Sequence, residues 1–287
     1  CIRDSERAAA RKRRLIQLCA ALLYNLNLKG FAEASIYKGR SKGLCVPGLN
    51  CYSCPGAVGS CPLGTLQNAL SAMDRKLPFY ILGVLLLFGV TMGRPICGFL
   101  CPFGLVQELL YRIPVPKIKK NRVTQELSKV KYVILAVFVI ILPVVFKAAS
   151  GLPVPAFCKY ICPAGTLEGG IPLVLLDDSL SGLAGALFHW KVLVLAVILV
   201  SACFLYRSFC RILCPLGAIY SLFAPVALLG VRIDRDTCVD CGRCVRTCKM
   251  DVRQVGDREC IQCGECMKEC NVDAIYWKKP WDVKSKK

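Results

Sequence analysis

Eight cysteines near the C-terminus are spaced like the ligands of iron–sulfur clusters. Three closely spaced thiolates wrap one face of a 4Fe–4S cubane, and in two-cluster ferredoxins the fourth cysteine of each run binds the other cluster. Two such runs occur here: Cys238, Cys241, Cys244 and Cys248, then Cys260, Cys263, Cys266 and Cys270. The pattern predicts two clusters with crossed ligands, which define a first ferredoxin set, Cys238, Cys241, Cys244 and Cys270, and a second ferredoxin set, Cys260, Cys263, Cys266 and Cys248.

Zinc is the alternative metal for clustered cysteines. Zinc sites usually join two short Cys-x2-Cys units across a long gap, whereas each run here has three short gaps in succession. Lys249 and Asn271 replace the proline that usually follows the fourth cysteine. Because proline is not a ligand, this replacement bears on loop geometry and reduction potential, and we expect clusters of ferredoxin type.

A second pattern, Cys-x3-Cys-Pro-x-Gly, occurs three times, at residues 97–104, 158–165 and 210–217. A truncated copy, Cys-Pro-Leu-Gly, begins at Cys61 and is preceded by Cys45, Cys51 and Cys54. Proline ends or bends a helix and glycine permits a tight turn, so sulfurs and free backbone N–H groups can converge there. One such motif supplies two thiolates, and a cubane therefore needs two motifs.

The motifs belong to an internal repeat that predicts how they pair. Residues 61–67, an apolar stretch and residues 97–104 resemble residues 162–168, an apolar stretch and residues 210–217. Equivalent positions of the repeat give an inner set of cluster ligands, Cys97, Cys101, Cys210 and Cys214. The remaining motif gives an outer set, Cys158, Cys162, Cys54 and Cys61, with Cys51 and Cys45 as alternative or additional ligands. Reduced structural thiols, or a disulfide in the outer set, are the alternative to a cluster.

Apolar stretches are the elements that must position these motifs. A membrane-spanning helix needs about 17–25 apolar residues, and the chain is 55% hydrophobic. Two further stretches, 171–188 and 216–231, are interrupted by Asp177 and Asp178 or by Pro225, and they are typical of re-entrant or interfacial segments. Four spans are expected: Leu15–Leu28, Pro78–Ile96, Lys131–Ala149 and Trp190–Tyr206.

The distribution of basic residues predicts the orientation of these spans. Residues 112–131 carry seven lysines and arginines against one glutamate, and such loops lie on the cytoplasmic side. We therefore expect a multi-pass protein of the cell membrane with both termini and the ferredoxin module in the cytoplasm. Both repeat copies then run in the same direction, with the inner set on the cytoplasmic side and the outer set opposite. The formal net charge of +19 is assigned to these loops, and no nucleic-acid partner is expected.

The expected fold is mainly α. A four-helix transmembrane domain with a parallel internal repeat occupies residues 1–231, and an α/β bacterial-type two-cluster ferredoxin module with a basic tail occupies residues 232–287. The single histidine, His189, suits an interfacial anchor and cannot supply bis-histidine haem alone. Asp177 and Asp178 fit a hydrated turn or helix cap better than proton or quinone chemistry.

The Cys-x3-Cys-Pro motifs beside apolar spans, followed by the double ferredoxin motif, resemble the NapH/NosR-type membrane polyferredoxins from about Arg94 onward. This resemblance implies electron transfer between the quinone pool or cytoplasmic donors and partner redox proteins. The segment Cys45–Gly64 and the third complete motif are additions to the simplest pattern of that family.

The sequence predicts an electron-transfer subunit of a larger redox complex. It would relay electrons between the ferredoxin clusters and clusters of the membrane domain, three to four 4Fe–4S clusters in all, with quinone or soluble ferredoxin as further partners. No residue set for substrate chemistry is evident, so a self-sufficient enzyme is not expected. The alternatives are a maturation or metal-reductase factor that uses the same clusters, and a zinc-bound membrane scaffold.

Overall fold

The computed structural model describes residues 2–71, 78–177, 179, 182 and 184–278, with the backbone alone for residues 2–10. The described chain is mainly helical and includes a two-stranded sheet. π-helical turns occupy Leu135–Ile141 and Gly165–Gly170. The α-helices are α1 Ile2–Tyr24, α2 Lys29–Ala32, α3 Pro62–Ser71, α4 Phe79–Thr91, α5 Pro95–Phe99, α6 Pro102–Leu110, α7 Arg122–Leu127, α8 Val130–Ile134, α9 Leu142–Ser150, α10 Ala156–Tyr160, α11 Ile171–Leu176, α12 Ala186–Phe204, α13 Ser208–Ile212, α14 Pro215–Phe223 and α15 Arg243–Thr247.

Two helices in the described residues are long and apolar enough to cross a membrane. One runs through α7, α8 and α9 as Arg122–Ser150, 29 residues, and the other is α12, 19 residues. They contain the third expected span and most of the fourth. Only 17% of the most apolar window of each helix is buried, so neither is the core helix of a water-soluble domain.

The first two expected spans differ from the structure. Helix α1 ends at Tyr24, because Asn25 donates a hydrogen bond back to the Ala21 carbonyl and another to the Asn50 side chain. Helix α4 has 13 residues, about 20 Å at 1.5 Å per residue. It ends at Thr91, because the chain turns at Gly93, which has a φ of +60°. A four-helix transmembrane domain is therefore not confirmed.

Helix α1 buries polar residues and exposes apolar ones. Arg13 and Gln17 are buried against the rest of the protein, whereas Leu18 and Leu22 are 48% and 57% exposed. A helix at the surface of a water-soluble protein has the opposite distribution, with its apolar stripe facing the core. The outer face of α1 is therefore suited to apolar surroundings.

The Cys-Pro step begins a helix in each copy of the motif. Helices α3, α6 and α14 start at a proline that directly follows Cys61, Cys101 or Cys214. A helical segment starts in the same way after Cys162. Proline suits the first helical position because its φ angle is already helical and its missing N–H would have had no partner. The four cysteines thus stand at helix N-termini.

The ferredoxin module is closed by strand β1 (Gly230–Ile233), which pairs antiparallel with β2 (Ile275–Lys278). The module packs on the helical domain (residues 2–229) through Tyr206, which shares an apolar cluster with Met250 and Ile261. The first strand begins two residues before the expected boundary at residue 232. The basic tail after residue 278 lies outside the described residues.

Candidate iron–sulfur centres

A glycine N–H faces a cysteine sulfur in two copies of Cys-Pro-x-Gly. The nitrogens of Gly165 and Gly217 lie 3.4 Å from the sulfurs of Cys162 and Cys214. The N-terminus of a helix carries positive partial charge and free N–H groups, which stabilise anions. In the other two copies, Gly64 and Gly104 hold the same position after Cys61 and Cys101.

The structure brings together the four cysteines of the inner set. All four are buried in one apolar core. Cys214 interacts electrostatically with the other three, Cys210, Cys97 and Cys101. Phe103 and Phe209, one from each motif, meet edge to face with ring centroids 5.2 Å apart. The fold therefore yields the grouping expected from the repeat, and its occupancy by a cluster stays a prediction.

Two buried arginines, Arg94 and Arg207, each extend from one motif of the inner set to a glycine of the other motif. The Arg207 guanidinium donates to Glu108 Oε1 at 2.9 Å from Nε and 2.6 Å from Nη2, and also to the Cys97 carbonyl. It passes over Gly104, where a Cβ would stand 3.2 Å from it. Arg94 lies in the same way against Gly217 of the opposite motif. Each motif thus places a positive charge beside the other motif, where it would stabilise an anionic cluster.

Arg94 has a buried donor beside Cys97. Its Nε donates to the Arg258 carbonyl at 2.8 Å and its Nη2 to Glu259 at 3.0 Å. Its Nη1 is buried without a hydrogen bond of normal geometry, and the guanidinium also interacts with the Cys97 side chain. A buried unpaired donor costs free energy. A cluster on the inner set would supply sulfur acceptors on this side, so the residues fit such a group.

Two buried glutamines hold the first cysteine of the facing motif. Gln107 donates to the Cys210 sulfur at 3.1 Å and accepts from the Phe209 N–H at 3.0 Å. Gln67 makes the equivalent bonds in the outer set, to Cys158 at 3.2 Å and from the Phe157 N–H at 2.9 Å. Each glutamine lies six residues after the cysteine of its own Cys-Pro step. The two sites are therefore built on one plan.

The outer set lines a cavity of about 610 Å³. The cysteines that reach it are Cys51, Cys61, Cys158 and Cys162, a cubane's ligand count. Cys51 and Cys162 face each other across Gly165, since a Cβ there would lie 3.8 and 3.7 Å from their sulfurs. The glycine leaves that space open. The cavity therefore fits a cluster held by these thiolates.

Cys51 takes the place that the sequence analysis gave to Cys54. The Cys54 sulfur faces Asn25 Oδ1 at 3.5 Å, and it does not line the cavity. Cys45, the other alternative, contacts Thr65 Oγ1 at 3.6 Å. The Cys51 N–H is anchored by Glu168 Oε2 at 2.7 Å. The structure thus favours Cys51 among the alternatives.

The second ferredoxin set comes together with crossed connectivity. Cys248, Cys260, Cys263 and Cys266 line one small cavity that includes Tyr206. Burial raises the pKa of the Cys263 thiol to about 12 and that of Cys248 to about 11. Thiols of this kind stay protonated at neutral pH until a cationic centre displaces the proton. The structure thus brings the fourth cysteine of the first run together with the second run, and cluster binding by these four thiolates stays a prediction.

The first ferredoxin set is nearer to solvent. Cys244 interacts electrostatically with Cys241 and Cys238, and Cys241 is exposed. The Cys270 sulfur accepts the Ala274 N–H at 3.3 Å. The assignment of Cys270 to this set stays a prediction.

Zinc stays the alternative to a cluster at these cysteines. Over the described residues, no three histidine, cysteine, aspartate or glutamate side chains form a group that could hold one metal ion. Zinc–sulfur bonds of about 2.3 Å would place the sulfurs of a tetrahedral site within about 4 Å of each other. Metal analysis of the purified chain distinguishes zinc from iron.

The inner and outer sets share one core, although we expected them on opposite sides of a bilayer. A Cβ on Gly48 would lie 3.2 Å from the Cys101 Cα, and Cys51 of the outer cavity follows three residues later. Three residues reach at most about 11 Å, against about 30 Å for a hydrocarbon core. Tyr220 interacts electrostatically with thiols of both sets. The expected separation was wrong, because the loop around Gly48 lies between the sets.

The residues other than cysteine that the sequence singled out, His189 and Asp177, make local hydrogen bonds. His189 is exposed and its Nδ1 lies 3.1 Å from the Gly185 carbonyl. Asp177 accepts hydrogen bonds from the N–H and hydroxyl of Ser179, as expected for a turn or a helix cap. Asp178 lies outside the described residues.

Arg94, Arg207, Gln67 and Gln107 were missed by the sequence analysis. Two signals could have revealed them. Each arginine stands three residues before the first cysteine of its motif, and each glutamine six residues after the cysteine of a Cys-Pro step.

A model of the 4Fe–4S binding domain family matches residues 60–80, 77–121, 132–171 and 186–233, together just over half of the chain. The chain belongs to this family. All the Cys-Pro-x-Gly motifs fall within the matched ranges, which end before the ferredoxin cysteines. The narrower NapH/NosR resemblance is not confirmed by these matches.

Relatives of this chain include proteins named for redox roles. An uncharacterized protein of Methanocaldococcus jannaschii is 29% identical over 59% of this chain and 64% of its own length. YccM of Escherichia coli, whose name assigns it provisionally to electron transport, is 23% identical over 68% of this chain and 54% of its own. The methylamine utilization ferredoxin-type protein MauN of Paracoccus denitrificans is 26% identical over 67% and 62%. The chain thus spans between about half and two thirds of these relatives. No solved structure matches it.

Proposed function

We propose that this chain is a membrane-bound iron–sulfur electron-transfer subunit that relays electrons through four 4Fe–4S clusters. The observation that carries the proposal is spatial. Four cysteines line the cavity of the second ferredoxin set, the inner set shares one buried core, and four cysteines line the outer cavity. The first ferredoxin set, with Cys270 as its expected fourth ligand, would complete the series at the exposed end. The names of YccM and MauN, which refer to electron transport and to ferredoxin, support the same reading.

The spatial order of the four cysteine sets suggests the path that electrons would take. The first ferredoxin set includes the exposed Cys241, where a soluble donor or a partner subunit can exchange electrons. The second set lies against Tyr206 of the helical domain. The inner and outer sets follow within the core of that domain. Electrons would pass along this series in either direction, and a further redox subunit or quinone would complete the circuit at the far end.

Arg94 supports direct passage from the second ferredoxin set to the inner set. Its guanidinium is buried and interacts electrostatically with both Cys97 and Cys260. Glu259, next to Cys260, binds both Arg94 and the buried Lys131. Removing one partner of a buried ion pair is strongly destabilising. These contacts would hold the two clusters in a fixed relation.

The proposed membrane location rests on the apolar surface. Helices α9 and α12 expose apolar side chains such as Val144, Val145, Leu193 and Val197, and α1 exposes leucines while burying Arg13. With the basic loop at residues 112–131 in the cytoplasm, both termini and the ferredoxin module would lie there too. Accessibility labelling of Lys119 from the cytoplasmic side tests this orientation, and labelling only from the opposite side would contradict it.

The relay is tested by supplying electrons through a protein too large to enter the core. A reduced bacterial-type ferredoxin is mixed anaerobically with the full chain, and EPR follows the clusters of the helical domain. We expect Cys263→Ser to block their reduction by the carrier while small dithionite still reduces them. Cys19→Ser, an exposed cysteine outside all four sets, is the matched control. Equal reduction by the carrier in Cys263→Ser would contradict the relay.

A further inference from the structure

A short segment, Pro47–Cys51, runs between the inner and outer sets. Gly48 lies so close to the inner set that a Cβ would stand 2.9 Å from the Leu100 carbonyl and 3.2 Å from the Cys101 Cα. Three residues later, Cys51 lines the outer cavity. The segment therefore touches one site and contributes a thiol to the other.

The middle of the segment is buried between the two sets. Leu49 packs in the apolar core that also contains Cys61, Cys97 and Cys101. Leu49 and Asn50 are both buried, and both line the outer cavity. This stretch of backbone therefore leads from the inner set to the outer cavity without access to solvent.

Residues of the two facing motifs fix the ends of the segment. Tyr220 donates its hydroxyl to the Pro47 carbonyl at 2.8 Å. Glu168 accepts the Cys51 N–H at 2.7 Å. Each lies six residues after the cysteine of its Cys-Pro step, the position that holds glutamine in the other two copies. Both residues are set to position this backbone.

We propose that Pro47–Cys51 is the electron-transfer bridge between the inner and outer clusters, with Tyr220 and Glu168 as its positioning residues. The proposal rests on the proposed function, because it requires a cluster on each set. With a cluster on each set, one electron crossing the bridge would oxidise one cluster and reduce the other, and no bond would form or break. The reduction potential of a cluster depends on the hydrogen bonds and solvent exposure around it, so a displacement of this buried backbone would act on both clusters.

The test compares Gly48→Ala with Gly83→Ala, a control glycine whose added methyl would meet nothing within 4 Å. Both full-length variants are purified anaerobically, their iron is counted, and rapid-freeze EPR follows the outer cluster after mixing with reduced ferredoxin. In Gly48→Ala we expect slower reduction of the outer cluster. We also expect the inner and outer midpoint potentials to shift together, because the displaced backbone changes the surroundings of both sets. Gly83→Ala should match the parent in rate and potentials.

Tyr220→Phe is the second variant, since it keeps the ring and removes only the hydrogen bond to Pro47. It should shift rate and potentials in the same direction by a smaller amount, and it decides the question if Gly48→Ala loses iron. Parental rate and potentials in Tyr220→Phe, or in a fully loaded Gly48→Ala, would overturn the bridge. A parent chain with iron for only two clusters would instead overturn the proposed function itself.

Discussion

The backbone of Gly98 lies directly against the carbonyl oxygen of Ile261, and a Cβ on Gly98 would stand 2.6 Å from that oxygen. Gly98 follows Cys97 of the inner set, and Ile261 follows Cys260 of the second ferredoxin set. No side chain separates the two backbones at this point. The Gly98 carbonyl is also bound by Gln17 of α1 at 3.0 Å. The helical domain and the ferredoxin module therefore meet next to a ligand of each proposed cluster.

Gly98→Ala should separate the two clusters. A Cβ at 2.6 Å from backbone forces a shift, and overpacking of this kind costs about 1–3 kcal/mol. We expect full iron content, faster hydrogen exchange at residues 258–262 and slower reduction of the inner cluster by ferredoxin. Gly83→Ala is the control, and unchanged exchange and rate in Gly98→Ala would show that the contact is not the junction.

Glu108→Gln should destabilise the helical domain. Glu108 is buried and accepts hydrogen bonds from Arg13, Arg207 and Tyr206. Neutralising it removes the counter-charge of the buried Arg207 and one of the two carboxylates that pair with Arg13, a loss of about 3–5 kcal/mol by analogy with broken buried pairs.

The matched control is Glu126→Gln, because the Glu126–Lys129 pair has both side chains more than 60% exposed. Such pairs contribute about 0–1 kcal/mol. Thermal unfolding of both variants in the same detergent measures the difference. Equal melting temperatures would refute a structural role for the buried Glu108 network.

Gln107→Leu and Gln67→Leu should each lower one reduction potential and leave the other unchanged. Gln107 donates to Cys210 of the inner set and Gln67 to Cys158 of the outer set. An N–H bond to sulfur favours the more negatively charged, reduced cluster, so its loss lowers the potential. EPR-monitored titration of the two variants measures this, and a shift of the same cluster in both would contradict the assignment of the sets.

Cys51→Ser and Cys54→Ser distinguish the two candidates for the fourth outer ligand. Cys51 lines the cavity with Cys162, whereas Cys54 faces Asn25. Cys51→Ser should lose or convert the outer cluster, with a loss of up to about four iron atoms per chain. Cys54→Ser should keep the parental iron content. The reverse result would restore Cys54 as the ligand.

The spacing of cysteines was enough to predict which thiols the fold brings together in the second ferredoxin set and in the inner set. Short gaps confine three thiolates to one face of a cluster, which leaves Cys248 free to reach the other run. The repeat places Cys101 and Cys214 at equivalent helix starts, so their pairing could be inferred without contacts. The short gaps between cysteines and the internal repeat are therefore sufficient to predict these groupings.

The outer ligand and the distance between the inner and outer sets could not be predicted from sequence. Residues 45–61 have no helical or strand periodicity, so nothing local distinguishes Cys51 from Cys54. The orientation of each cysteine depends on a residue distant in the sequence. Glu168 binds the Cys51 amide, and Asn25 contacts the Cys54 sulfur. Hydropathy likewise shows where apolar residues are, but not that Gly93 ends α4 at Thr91.

The central claim is that the helical domain holds clusters of its own beside the two of the ferredoxin module. Iron and acid-labile sulfide counted on anaerobically purified full-length chain test it most directly, with Cys19→Ser as the unaffected control. The account predicts about sixteen iron atoms and a matching amount of sulfide per chain, four for each set. About eight of each, the content of two ferredoxin clusters alone, would contradict it.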